Sequence, residues 1–101
     1  MDIAEAARNF FAALGTREAE ALVRPDAVWE EPPQRLEPAA GLARWAGWTF
    51  AVEDVLVKRN VAFAQVAAEG PGGLRRGIAI LAWAQDERLA QVTLDLSLIH
   101  I

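Results

Sequence analysis

The sequence predicts an α+β fold in which helices come first and a curved, mostly antiparallel sheet follows. Three observations carry this. Apolar residues recur at helical spacing before Trp48. After Trp48, four stretches rich in Val, Ile, Leu, Phe and Ala are separated by short polar or glycine-rich breaks. The length, 101 residues, suits one domain spanning 1–101. Helices and then strands, rather than an alternation of the two, is the α+β order.

Residues 2–14 read as a helix, with Ile3, Ala6, Ala7, Phe10, Phe11 and Leu14 on one face. Asp2 followed by Glu5 resembles a capping box, and Gly15 suits a left-handed stop. Thr16 is expected to cap a second helix over 17–23, closed by Pro25. Asp26 to Glu31 reads as a short strand ended by Pro32 and Pro33. A third helix is expected over 39–48, with Leu42, Trp45 and Ala46 on one side. The strands of the meander are expected over 49–57, 61–69, 74–84 and 88–95. Eight to ten residues span about 26–33 Å, enough to curve around a helical layer.

Composition excludes several function classes. There are no cysteines, so disulfides, thiolate metal sites and cysteine nucleophiles are ruled out, and a cytoplasmic home is compatible. One histidine rules out a multi-histidine metal centre, and neither a metal nor another cofactor is expected. The net charge of −4 disfavours nucleic acid, whose phosphates need clustered Lys and Arg. The apolar run from Gly77 to Ala84 is far short of the ~20 residues of a membrane span. Asp2 and Glu5 argue against a signal peptide.

The stretches FFAALGTREAEALV, DAVWEEP and EPAAGLARW, with the Asp-Glu-Arg-Leu turn into the last strand, follow one another in a known order. In order and spacing the chain resembles the nuclear transport factor 2-like superfamily, which includes SnoaL-like polyketide cyclases and steroid delta-isomerases. The resemblance implies a cone with an apolar pocket between helices and concave sheet, and frequent dimers. It also places Glu31-Pro32 where steroid isomerases carry their general base, with Glu in place of Asp. The oxyanion donors of those enzymes, a Tyr and a protonated Asp, fall on Phe10 and near Ala79. Such donors supply ~3–4 kcal/mol each. Steroid isomerisation by that route is therefore not expected.

Glu31 is the first candidate catalytic residue. It shares a strand face with Trp29, and an apolar wall disfavours a charged carboxylate, which suits it to accept a proton near neutral pH. Its plain alternative is a solvated strand end, with Glu30 the fallback if the register shifts by one. Asp95 is the second, on a face with Leu89, Gln91 and Thr93. SnoaL-like enzymes place an Asp near the end of this strand, about two positions later. Arg44 and Arg35 suit pairing with these carboxylates or holding an anion. Arg75-Arg76 alternates faces and reads as a rim pair. Phe10, Trp29, Trp45, Phe63 and Trp83 are the expected ligand-binding wall, because tryptophan is awkward to bury fully in a small core.

The last six residues, Leu96-Ser97-Leu98-Ile99-His100-Ile101, resemble the translation of CTG TCT CTT ATA CAC ATC, a transposase mosaic end used in building sequencing libraries. The natural sequence is thus expected to differ after Asp95, and His100 is set aside as a base. Two function classes remain. One is a carboxylate-based proton-transfer enzyme of isomerase, cyclase or hydrolase type on a small apolar molecule. The other is a non-catalytic ligand-binding or dimerisation module. A homodimer through the convex sheet face is expected in either case. A buried carboxylate beside a closed apolar cavity would favour the enzyme; a filled cone with Glu31 in solvent would favour the module.

Overall fold

Asp2 accepts a hydrogen bond from the Glu5 backbone N–H at 3.1 Å and caps α1 (Ile3–Ala13). Ala7, Phe10 and Phe11 on its inner face are buried, followed by Leu14. Gly15 then reverses the chain at φ +93°, where a Cβ would strike the Trp48 carbonyl. The computed structural model describes residues 1–99, so His100 and Ile101 lie outside the described residues. After Gly15 come a 3-10 helix (Arg17–Leu22), β1 (Val23–Glu31), β2 (Gln34–Leu36), α2 (Pro38–Arg44), β3 (Thr49–Lys58), β4 (Val61–Gly70), β5 (Gly73–Trp83) and β6 (Leu89–Leu98).

All six strands form one mixed sheet in the order β2-β1-β6-β5-β4-β3. Three hairpin pairings, β3–β4, β4–β5 and β5–β6, make the expected meander. β1 joins it by pairing parallel to β6, with Trp29 beside Val92 and Glu30 beside Thr93. Register shifts interrupt β1, β3 and the β5–β6 pair, and such bulges bend a sheet. The inner face of β4, β5 and β6 carries Ala62, Ala64, Val66, Ala68, Ala79, Leu81, Val92 and Leu94, all buried under the helical layer.

The structure departs from the sequence reading in three places. The second helix is a 3-10 helix of six residues, because Val23 already pairs with Leu89 and draws the chain into the sheet. Pro25 therefore lies inside β1 rather than closing a helix. It falls where the β1–β6 register shifts, so its missing N–H costs no ladder bond. The third helix stops at Arg44, and Trp45 to Trp48 turn through Gly47 at φ +82°. β2 was not expected at all: the chain turns at the cis Pro32–Pro33 bond and pairs Gln34 with Glu31.

Candidate functional site

β1 alternates faces, so Trp29 and Glu31 point toward the helices while Val28 and Glu30 face outward. Trp29 is completely buried. Gly41 makes this possible: a Cβ there would overlap the Trp29 indole, so its absence lets α2 lie directly on the ring. α2 then ends with Arg44 and Trp45 above the end of β1.

Glu31 is the one charged side chain buried among the described residues, at 8% exposure. Three donors converge on its carboxylate. Trp29 Nε1 donates to Oε2 at 2.8 Å, and Trp45 Nε1 donates to the same oxygen at 3.1 Å. Arg44 Nε donates to Oε1 at 3.1 Å and forms an ion pair with it. An ionised carboxylate only accepts, so each contact satisfies it and also satisfies an indole or guanidinium that burial would otherwise strand.

A cleft of about 260 Å³ opens beside this knot, lined by Glu31, Pro32, Arg44, Trp45, Arg75 and Leu94, among others. Arg75 comes from the first turn of inward-facing positions on β5, opposite Ala68. Its guanidinium carbon lies 6.0 Å from the Trp45 ring centroid and 5.8 Å from that of Trp48, within cation–π range. One terminal amino group donates to the Leu96 carbonyl at 3.5 Å. Its Nε is buried and has no hydrogen-bond partner. The cleft thus holds two guanidinium groups, the inward Glu31 carboxylate and the exposed Asp95.

Of the other expected site residues, Asp95 and Trp45 also line this cleft, and the rest stand elsewhere. Asp95 projects from the outer face of β6, exposed, while Leu94 and Leu96 face inward. The apolar positions of β6 fill the cone, which sends the polar ones out, and Asp95 borders the Glu31 cleft from that side. Phe63 lies on the outer face of β4, because Ala62 and Ala64 take the inner one. Among the described residues, Phe10, Trp29, Trp45 and Trp83 belong to the buried core cluster. Phe10 and Trp83 border a separate cleft, with Asp2, Glu5 and Leu22. Glu30 faces outward and pairs with Arg35 at 3.7 Å. Phe10 and Ala79 are buried, so no hydroxyl or carboxyl stands at either position. Arg75 was missed as a site residue. Its signal was its phase: it shares alternation with Ala79 and Leu81, which are buried.

A larger groove, about 620 Å³, runs outside the cone between the 3-10 helix and α2, past Val23, Pro25, Leu42 and Arg88. At its end, Arg24 bonds Asp26 at 3.0 Å and Arg88 bonds Asp86 at 2.9 Å. The Arg24 hydrogen bond holds the Asp26 carboxyl below its ordinary range, and Asp26 in turn holds Arg24 above its own. The Arg88 backbone N–H, and then its side chain, do the same to Asp86. No helix among the described residues is long and apolar enough to cross a membrane.

No protein-family model matches the chain, and no curated protein matches it either. Solved structures do. A nuclear transport factor 2-like protein of unknown function from Cytophaga hutchinsonii superimposes with a TM-score of 0.80 at 10% identity, covering 96% of this chain and 91% of that one. A putative ketosteroid isomerase from Kribbella flavida gives 0.77 at 23% identity, covering 98% and 80%. The epoxide hydrolase/cyclase-like enzyme SalBIII, described for pyran ring formation in the polyether salinomycin, gives 0.79 at 11% identity, covering 94% and 90%. The chain therefore has the nuclear transport factor 2-like fold, which its structural neighbours share with ketosteroid isomerase-like and SnoaL-like proteins.

Proposed function

We propose that this protein binds a small molecule in the cleft beside Glu31, and that Glu31 holds the site together rather than acting on the ligand. One observation carries the reading. The buried carboxylate accepts from two indoles and one guanidinium, which fixes Trp45 and Arg44 at the cleft wall. The fold hosts binding modules and enzymes alike, so the decision rests on the site. Both lone pairs of Oε2 are taken by indole N–H groups, and one on Oε1 is taken by Arg44.

A second reading has a specific basis. One acceptor position on Oε1 remains, and the carboxylate is buried beside the cleft. A bound carbon acid could give its proton to Oε1 and keep the electron pair of the broken C–H bond. Phe10 and Ala79 supply no donor to the resulting anion, so the substrate would have to stabilise it alone.

The test is a small-molecule screen by NMR, using acids, amines and neutral amides, read on the indole N–H signals. Hits are expected to move the Trp45 signal. Glu31→Gln should keep its fold but lose about 1–3 kcal/mol of stability, because its amide N–H₂ then meets donors. Binding should survive in weakened form. A screen in which no compound moves the Trp45 signal overturns the reading. Turnover of a hit by the native protein, abolished in Glu31→Gln while binding persists, would instead establish the proton-transfer reading.

A further inference from the structure

The ligand's chemistry can be taken further than its site, and this step rests on the cleft reading above. We infer that the cleft receives a small organic carboxylate, held by Arg75 and Arg44.

Arg75 is the stronger part of the argument. A guanidinium has five N–H donors. Among the described residues Arg75 uses one, at the long distance of 3.5 Å, and its Nε is buried with nothing to accept from it. That Nε is closed to a ligand in the cleft, but the second terminal amino group also has no acceptor among the described residues. An unmade bond to a charged group is costly, so this end of Arg75 is a place where an acceptor belongs. The group is also held in place before any ligand arrives. Trp45 and Trp48 lie beside it at cation–π distance, and Trp48 is seated against Gly70, where a Cβ would overlap its ring. A preformed guanidinium loses less freedom on binding than a free one.

Arg44 contributes differently. Glu31 takes only its Nε, so its two terminal amino groups have no protein acceptor among the described residues. The side chain is 47% exposed and lines the same cleft. Glu31 therefore fixes the near end of Arg44 and leaves its far end to a ligand.

Charge bears on the class. Arg75 and Arg44 share the cleft with two carboxylates, Glu31, which is spent on Arg44 and two indoles, and Asp95, which is exposed. The guanidinium ends left without an acceptor suit a monoanion, which meets less repulsion from these carboxylates than a dianion does. A phosphate dianion would add a second negative charge near the buried Glu31. A planar carboxylate also matches the fork of a guanidinium in two parallel bonds. The volume, about 260 Å³, suits a small acid rather than a steroid-sized skeleton.

The experiment titrates the full chain with benzoate, with benzamide as its neutral counterpart, and with inorganic phosphate. The readouts are the arginine Nε–H and indole N–H signals. Benzoate is expected to shift Arg75 and Trp45 and to bind at least tenfold more tightly than benzamide. Arg75→Gln should weaken benzoate by about tenfold to a hundredfold, the usual worth of a hydrogen bond to a charged group. Arg75→Lys, which keeps charge but not the fork, should fall between. If Arg75→Gln does not fold, the benzoate–benzamide comparison on the native protein decides alone. Equal binding of the two at Trp45 overturns the carboxylate inference and leaves the cleft reading standing. Phosphate binding more tightly than benzoate overturns the carboxylate class. Failure of every probe, charged and neutral, to reach the cleft sinks the cleft reading itself.

Discussion

Glu31 shows how one side chain ties three elements together. It stands at the end of β1, accepts from Trp29 two residues earlier, and reaches Arg44 and Trp45 at the end of α2. Hydrophobic and charged requirements meet here, since both indoles are buried and their N–H groups need an acceptor. Asp26 and Asp86 are exposed and paired with arginines. Asp86 is held below its ordinary range by Arg88 in the folded chain. A depressed folded value means that the contribution is present above the unfolded value of about 3.9 and is lost as pH falls through the lower folded value. Asp26, bonded to Arg24, has the same sign. In Asp86→Asn the melting temperature should therefore fall less steeply below pH 4 than in the native protein. Thermal melts from pH 2 to 6 check this. Identical slopes would mean that the Arg88 contact contributes nothing in solution.

α2 is seven residues long, too short to be stable on its own propensity. Its position comes from packing: Gly41 rests on Trp29, and Pro38 fits the first turn where no N–H is needed. Replacing Gly41 by Ala would raise helix propensity by about 1 kcal/mol. It would also drive a methyl group into the buried indole, and overpacking of this kind costs about 1–3 kcal/mol. The second effect should win, because Trp29 is walled in by Phe10 and by its bond to Glu31. Gly41→Ala is thus expected to melt lower than the native protein, and the Trp29 indole N–H signal should move. A higher melting temperature would show that α2 can slide off the ring at no cost. At this scale, hairpins and α1 were legible in sequence, because alternation and helical spacing are local properties. The 3-10 helix, β2 and the end of α2 were not, since each is decided by pairing or contact with a distant strand.

For the molecule as a whole, the inner sheet face is covered and the outer one is not. Leu56 is 69% exposed, Ile78 43% and Phe63 38%, and the first and last of these are cross-strand neighbours. Two copies meeting through this face would cover them, and a standard interface needs roughly 800 Å² from each partner. Sedimentation at micromolar concentration is expected to give about twice the chain's 11.0 kDa, and Phe63→Asp to give the monomer. A native monomer would overturn the expectation. The sequence by itself determined the α+β class, α1, the four-strand meander, and that Trp29 and Glu31 share one strand face. Apolar periodicity and strand alternation require nothing beyond neighbouring residues. Tertiary structure alone decided what surrounds Glu31. The expected apolar wall became three donors, because Trp45 and Arg44 reach it only when α2 lies across β1. It also decided that Asp95 and Phe63 face outward and Arg75 inward: alternation tells which residues share a face, but the packing of the helices decides which face is the inside.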